Sequence, residues 1–156
     1  MDKPKFVYVC YIESAAEKVF NALIDPEMTK LYWFGHHNAS DWKVGSNWRH
    51  QMYDDPSKVH VVGKVIESEP PHRLVVSWAA PADEGNPEKT SRVTYEIEPF
   101  TEAAIKLTVT HDELEGSPEM AKSVSWGWPI VISGLKTLLE TNKPMKVEAP
   151  KASTGA

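Results

Sequence analysis

The stretch from Met120 to Thr141, MAKSVSWGWPIVISGLKTLLET, limits the possible folds more than any other part of the chain. It is the longest helix-like segment. Trp128, Val131, Ile132, Leu135, Leu138 and Leu139 recur at helical spacing and form an apolar stripe that needs a partner surface. Ser117-Pro118-Glu119 just upstream has the make-up of a helix start: an N-cap, a proline at the first position and an acid in the first turn. Pro129 lacks an N–H, and its ring meets the carbonyl of Ser125, so a kink or a break is expected there.

The upstream chain supplies the partner surface. Phe6 to Ile12 is continuously apolar, which predicts a strand buried on much of both faces. Ser14 and Glu17 have capping-box spacing, and Ala16, Val19, Phe20, Leu23 and Ile24 share one helical face, predicting a helix from about Ala15 to Ile24. Asp25-Pro26 starts a second helix with Met28, Leu31, Tyr32 and Phe34 as its apolar side and Gly35 as its stop. His36 to Ser40 is expected to be a polar connection. Strands follow at 42–53, with a Gly45-Ser46 bend, and at 59–67, 73–79, 92–98 and 105–111. Val93, Tyr95 and Ile97 face in while Thr94, Glu96 and Glu98 face out; Ile105, Leu107, Val109 and His111 form the next inward row. Pro81 to Lys89 is expected to be a mobile loop. The order β-α-α-β-β-β-β-β-α, rich in hairpins, predicts an α+β fold in which a curved antiparallel sheet wraps a long C-terminal helix.

At 156 residues the chain is expected to be one domain over 1–142, and 143–156, with little to bury, a disordered tail. A net charge of −5 disfavours a nucleic-acid binder, which needs a basic face. No apolar run reaches membrane-spanning length, so no membrane insertion is expected. Cys10 is the one cysteine; it is expected to be buried and inert, in a cytoplasmic setting. The six histidines include the adjacent pair His36-His37, but there is no zinc motif, nucleophile triad, phosphate loop or dinucleotide fingerprint. Neither a metal nor a cofactor is expected.

Particular pieces carry a resemblance. They are Ser14-Ala-Ala-Glu-Lys-Val-Phe20, Pro26 through Tyr32-Trp33, Asp41-Trp42-Lys-Val-Gly45-Ser46 and Gly63-Lys-Val-Ile-Glu67. Pro71-His-Arg-Leu-Val-Val-Ser-Trp78, Val93-Thr-Tyr-Glu-Ile97 and Gly127-Trp128-Pro129 followed by Leu135, Leu138, Leu139 and Glu140 complete the set. In this order they resemble the START-like helix-grip superfamily, also called SRPBCC or birch-pollen-allergen-like. Within it the chain is most similar to the family homologous to the C-terminal domain of the activator of the heat-shock-chaperone ATPase. The resemblance spans about Val7 to Thr141. It implies the helix-grip fold and an internal cavity, in a superfamily whose members bind lipids, hormones or polyketides or act as cyclases.

The candidate site follows from both readings. Trp33, Phe34, Trp48, Trp78, Tyr95, Trp126 and Trp128 are expected to wall a cavity between sheet and helix, with His50 and His111 as polar anchors. The expected function is binding of a small hydrophobic molecule there, in a stress-related setting. One alternative is cyclase or dehydratase chemistry in the same cavity, with His50 or His111 moving protons. Another is a surface that docks a chaperone or other protein, the chain itself being a monomer or a homodimer.

Overall fold

The computed structural model describes residues 5–146. Seven strands form one antiparallel sheet: β1 Phe6–Ile12, β2 His36–Ala39, β3 Asn47–Met52, β4 Val59–Glu69, β5 Arg73–Trp78, β6 Ser91–Pro99 and β7 Ile105–Asp112. Their spatial order is β1-β7-β6-β5-β4-β3-β2. Helices α1, Ala16–Ile24, and α2, Pro26–Tyr32, bridge the two edge strands, and α3, Pro118–Thr141, packs on the sheet's inner face. The expected α+β helix-grip architecture is therefore the one observed. The predicted tail falls largely on residues 147–156, outside the described residues.

Local chemistry accounts for most of these elements. Asp25 caps α2 as expected, its Oδ1 accepting from the N–H of Glu27 at 2.9 Å, with Pro26 at the first position. Phe34 and Gly35 then both take left-handed φ values, +51° and +72°, which turn the chain sharply from α2 into β2. Helix α3 buries Val124, Trp128, Val131, Ile132, Leu135 and Leu138. Lys136 Nζ donates to the carbonyl of Tyr11 at 2.6 Å, and Glu140 accepts from the N–H of Glu13 at 2.8 Å, fixing the end of α3 to the end of β1.

Several expectations are corrected. His36–Ala39 is a strand, β2, not a connection; it pairs with β3 in the register His36↔Met52 to Ala39↔Arg49, because the turn at Phe34-Gly35 aligns it there. The capping box at Ser14 does not form. The cap position is Ala15, one residue later, and the N–H of Ser14 instead bonds the carbonyl of Ile12 at 3.0 Å. Helix α3 packs against only the inner face of β1, so Val7, Val9 and Tyr11 on its outer face are exposed rather than buried. Leu31 on α2 is exposed, whereas Thr94 is buried on the outer face of the sheet. The segment 81–89 is built from two 3-10 turns, Pro81–Asp83 and Pro87–Lys89, the second capped by Asn86. Of the kink or break expected at Pro129, the break does not occur: α3 runs on through it as one helix.

Two irregularities in β4 shape the sheet. The pairing with β3 runs His50↔Val61 and then Gln51↔Val59, so His60 is an extra, bulged residue. The pairing with β5 runs Val65↔Val76 and then Glu67↔Val75, which leaves Ile66 bulged in turn. Between them Gly63 permits a close approach: a Cβ there would collide with the carbonyl oxygen of Ser77 and with Nε1 of Trp48. That space lets the Trp48 indole donate to the Ser77 carbonyl at 2.8 Å. Gly63→Ala is therefore expected to destabilise the fold by about 2 kcal/mol or more, read as a lower urea midpoint at unchanged m-value.

Candidate functional site

The inner face of the sheet and α3 meet in an aromatic cluster. Trp33, at the end of α2, is 5.6 Å from Trp128 of α3 and 6.5 Å from Trp78 of β5, measured between ring centroids. Trp78 and Trp128 are themselves 5.6 Å apart, so the three indoles form a triangle. A cavity of about 280 Å³ opens against it. Its walls are Trp33, Trp78 and Trp128, with Val61 of β4 and Met120, Val124, Gly127 and Val131 of α3; His36, His60 and Ser123 supply its polar groups. Among the described residues no acidic, lysine or arginine side chain lines it. The upstream half of α3, including the turn that carries Gly127 and Trp128, thus forms one side.

The sequence-predicted aromatic residues divide into three groups. Trp33, Trp78 and Trp128 line this cavity. Trp48 and Tyr95 lie deeper, beside a gap of about 10 Å³ with Leu23, Asn38 and Trp42, which is too small for a ligand. Phe34 and Trp126 stack on each other at 6.2 Å on the outer side, and Trp126 is 41% exposed. Phe34 also borders a second hollow of about 360 Å³ between α2 and α3, with Leu31, Ile130 and Met145.

His50 and His111 are fully buried and neither lines the main cavity. His111 is saturated. Its Nδ1 accepts from the indole N–H of Trp128 at 3.1 Å, so Nε2 carries the proton and donates to Ser91 Oγ at 2.7 Å. Ser91 in turn donates to the Trp78 carbonyl at 2.9 Å. Burial pushes the His111 pKa down to about 3, partly opposed by Asp112. A neutral imidazole with both nitrogens engaged is a structural brace, not a proton carrier. His50 donates from Nδ1 to Asn38 Oδ1 at 2.8 Å, while Asn38 Nδ2 donates to the Leu23 carbonyl at 3.3 Å. Its Nε2 has no partner among the described residues, and burial holds its pKa well below the ordinary value, reinforced by His36, His60 and His37. The indole N–H of Trp78 is likewise buried and unpartnered among the described residues.

The polar groups that do reach the cavity, His36, His60 and Ser123, are not among the residues that the sequence pattern selects. His36 lies in the segment whose composition predicts a polar connection. His60 should point outward by strand alternation, since its neighbour Val61 points inward. The bulge puts both side chains against the cavity. A histidine inside the apolar run Val59-His60-Val61-Val62 was the signal available.

Comparison with known proteins places this arrangement. The profile of the family described as "Activator of Hsp90 ATPase homolog 1-like protein" matches residues 13–140. The chain belongs to this family. No curated protein matches it. Solved structures do. A protein from Cytophaga hutchinsonii is 27% identical, with a TM-score of 0.68 over 91% of this chain and 98% of that one. An Hsp90 activator from Plasmodium falciparum is 22% identical, with a TM-score of 0.68, covering 87% of this chain and 96% of that one. CalU16 from Micromonospora echinospora, in solution, is 19% identical with a TM-score of 0.75, covering 99% and 76%. At such identities the last two establish the shared fold of the family and nothing finer. Among the described residues no helix is long and apolar enough to cross a membrane.

The buried histidines set a pH dependence. The folded-state pKa of His111 is depressed, so the unfolded chain binds the extra proton first. Stability is therefore expected to fall as pH drops below about 6.5 toward the folded value near 3. Between pH 7 and pH 5 this one group accounts for up to about 2 kcal/mol. Urea midpoints at the two pH values measure the slope, and His111→Gln is expected to flatten it.

Proposed function

We propose that this protein binds a small hydrophobic molecule in the cavity between its sheet and the upstream half of α3. The observation that carries the reading is the cavity itself: about 280 Å³ of space walled by Trp33, Trp78 and Trp128 and edged by a few polar groups. The cavity opens to solvent on one side and, unlike the larger hollow between α2 and α3, is walled by three indoles; ligand sites combine apolar walls with sparse polar groups in this manner. The volume is near the lower end for such sites and suits a molecule of one or two rings. The indole N–H of Trp78, buried and without a partner among the described residues, supports the same reading, since a buried donor left unpaired costs stability unless a ligand or water completes it. The proposed setting is the cytoplasm, where the single buried thiol of Cys10 stays reduced.

Native mass spectrometry of protein purified without added ligand is expected to show a bound mass. Titration with lipids, aromatics and polyketides is expected to quench tryptophan emission. Ser123→Phe, which fills the cavity from a partly exposed position, is expected to weaken binding at least tenfold while the melting temperature stays close to that of the parent. No co-purified mass together with no quenching by any probe would remove the basis for this function.

One observation favours a second use of the surface. The stacked Phe34–Trp126 pair stands beside exposed Leu31 on the outer side of α2 and α3. Aromatic groups of this kind anchor protein contacts. Among similar structures, one is described as an Aha1 dimer from Colwellia psychrerythraea. The reading is self-association through this patch. Sedimentation velocity is expected to show a monomer–dimer shift over micromolar concentrations that Trp126→Ser abolishes; a parent chain that stays monomeric throughout refutes it.

A further inference from the structure

The polar edge of the cavity is a pair of imidazoles whose protons are fixed by their surroundings. His36 Nδ1 lies 2.9 Å from the carbonyl of Phe34 and 3.2 Å from that of Trp33. Carbonyls only accept, so Nδ1 carries the proton and Nε2 presents a lone pair. That lone pair is 2.7 Å from Nδ1 of His60, which must therefore donate. The remaining nitrogen of neutral His60, Nε2, is then a hydrogen-bond acceptor and nothing else. His36 cannot rearrange: it is buried and stacked on His50 with ring centroids 4.5 Å apart and planes 6° from parallel. His60 reaches the cavity only because it is the bulged residue of β4.

We infer that His36 and His60 form a fixed hydrogen-bond relay that selects, among hydrophobic molecules, a neutral aromatic compound bearing a hydroxyl group, whose O–H donates to Nε2 of His60. This rests on the cavity being a ligand site, as proposed above. Three features define the class. The indole walls suit a flat ring. Among the described residues the lining holds no acidic, lysine or arginine side chain to pair with an amine or a carboxylate. The relay offers an acceptor, so ketones, ethers and hydrocarbons of the same shape gain nothing from it. The carbonyls behind His36 and the lone pair behind His60 align the whole run, from the turn at Trp33-Phe34 to the ligand oxygen.

Isothermal titration calorimetry with 2-naphthol and with its methyl ether, 2-methoxynaphthalene, tests this on the full chain. The parent is expected to bind the naphthol about tenfold more tightly, the worth of one hydrogen bond. In His60→Phe, at an exposed position, the preference is expected to collapse to about one. Equal binding of the two compounds by the parent overturns the relay and leaves the cavity reading standing. A preference that survives in His60→Phe is steric and also overturns it. Binding of neither compound removes the inference, and the ligand panel above then decides the cavity reading by itself. Nitrogen-15 NMR of the free protein above neutral pH provides a second measurement: His60 protonated at Nδ1 supports the relay, and His60 protonated at Nε2 refutes it.

Discussion

The structure hangs on a run of hydrogen bonds through its aromatic core. The Trp128 indole donates to His111, His111 to Ser91, and Ser91 to the carbonyl of Trp78. The run links α3 to β7, β6 and β5 in turn. Each group in it is buried, so each bond forms without competition from water, and breaking one member strands the others. The apolar stripe of α3 brings one face of the helix to the sheet and sets its rotation coarsely. The run then refines it: it sets Trp128 against Trp78 at the cavity wall. A helix held so tightly at one point can pass over open space a few residues away.

Periodicity made the frame legible. The apolar stripe of α3 and the alternation in β6 and β7 placed the sheet, its inner face and its covering helix, because side chains on regular elements follow the repeat. Asp25-Pro26 was equally readable, since capping is local chemistry. The site was only partly readable for the same reason. Trp78 and Trp128 fall on regular positions and line the cavity, and Trp33 lines it from the cap just past α2. His60 does not fall on a regular position, because a bulge is decided by the pairing of two strands and leaves little mark on either one. The short strand His36–Ala39 looked polar because its buried groups, His36 and Asn38, are satisfied by partners distant in sequence. Nor could His50 and His111 be separated from the cavity by alternation alone: they share its face of the sheet but lie below its wall.

Irregular backbone is where this chain departs from an ideal sheet. Two bulges in β4 and the close passage at Gly63 bend the strand around Trp48 and Trp78. Relatives under 25% identical keep the same frame, so the frame tolerates wide change in sequence. Chemical character then comes from which side chains the irregular positions carry, and here they carry a histidine.

The end of α3 has a role beyond packing. Strand β1 closes one edge of the sheet, and an edge strand offers unpaired backbone groups to any other extended chain. This one also exposes Val7, Val9 and Tyr11, an apolar row that would favour such pairing. Lys136 occupies the carbonyl of Tyr11 and Glu140 the N–H of Glu13, while the Lys136 and Glu140 side chains are joined at 2.7 Å. The last turns of the helix thus plug the end of the edge with an ion pair. The element that the sheet wraps is also the one that discourages the sheet from growing into the next molecule.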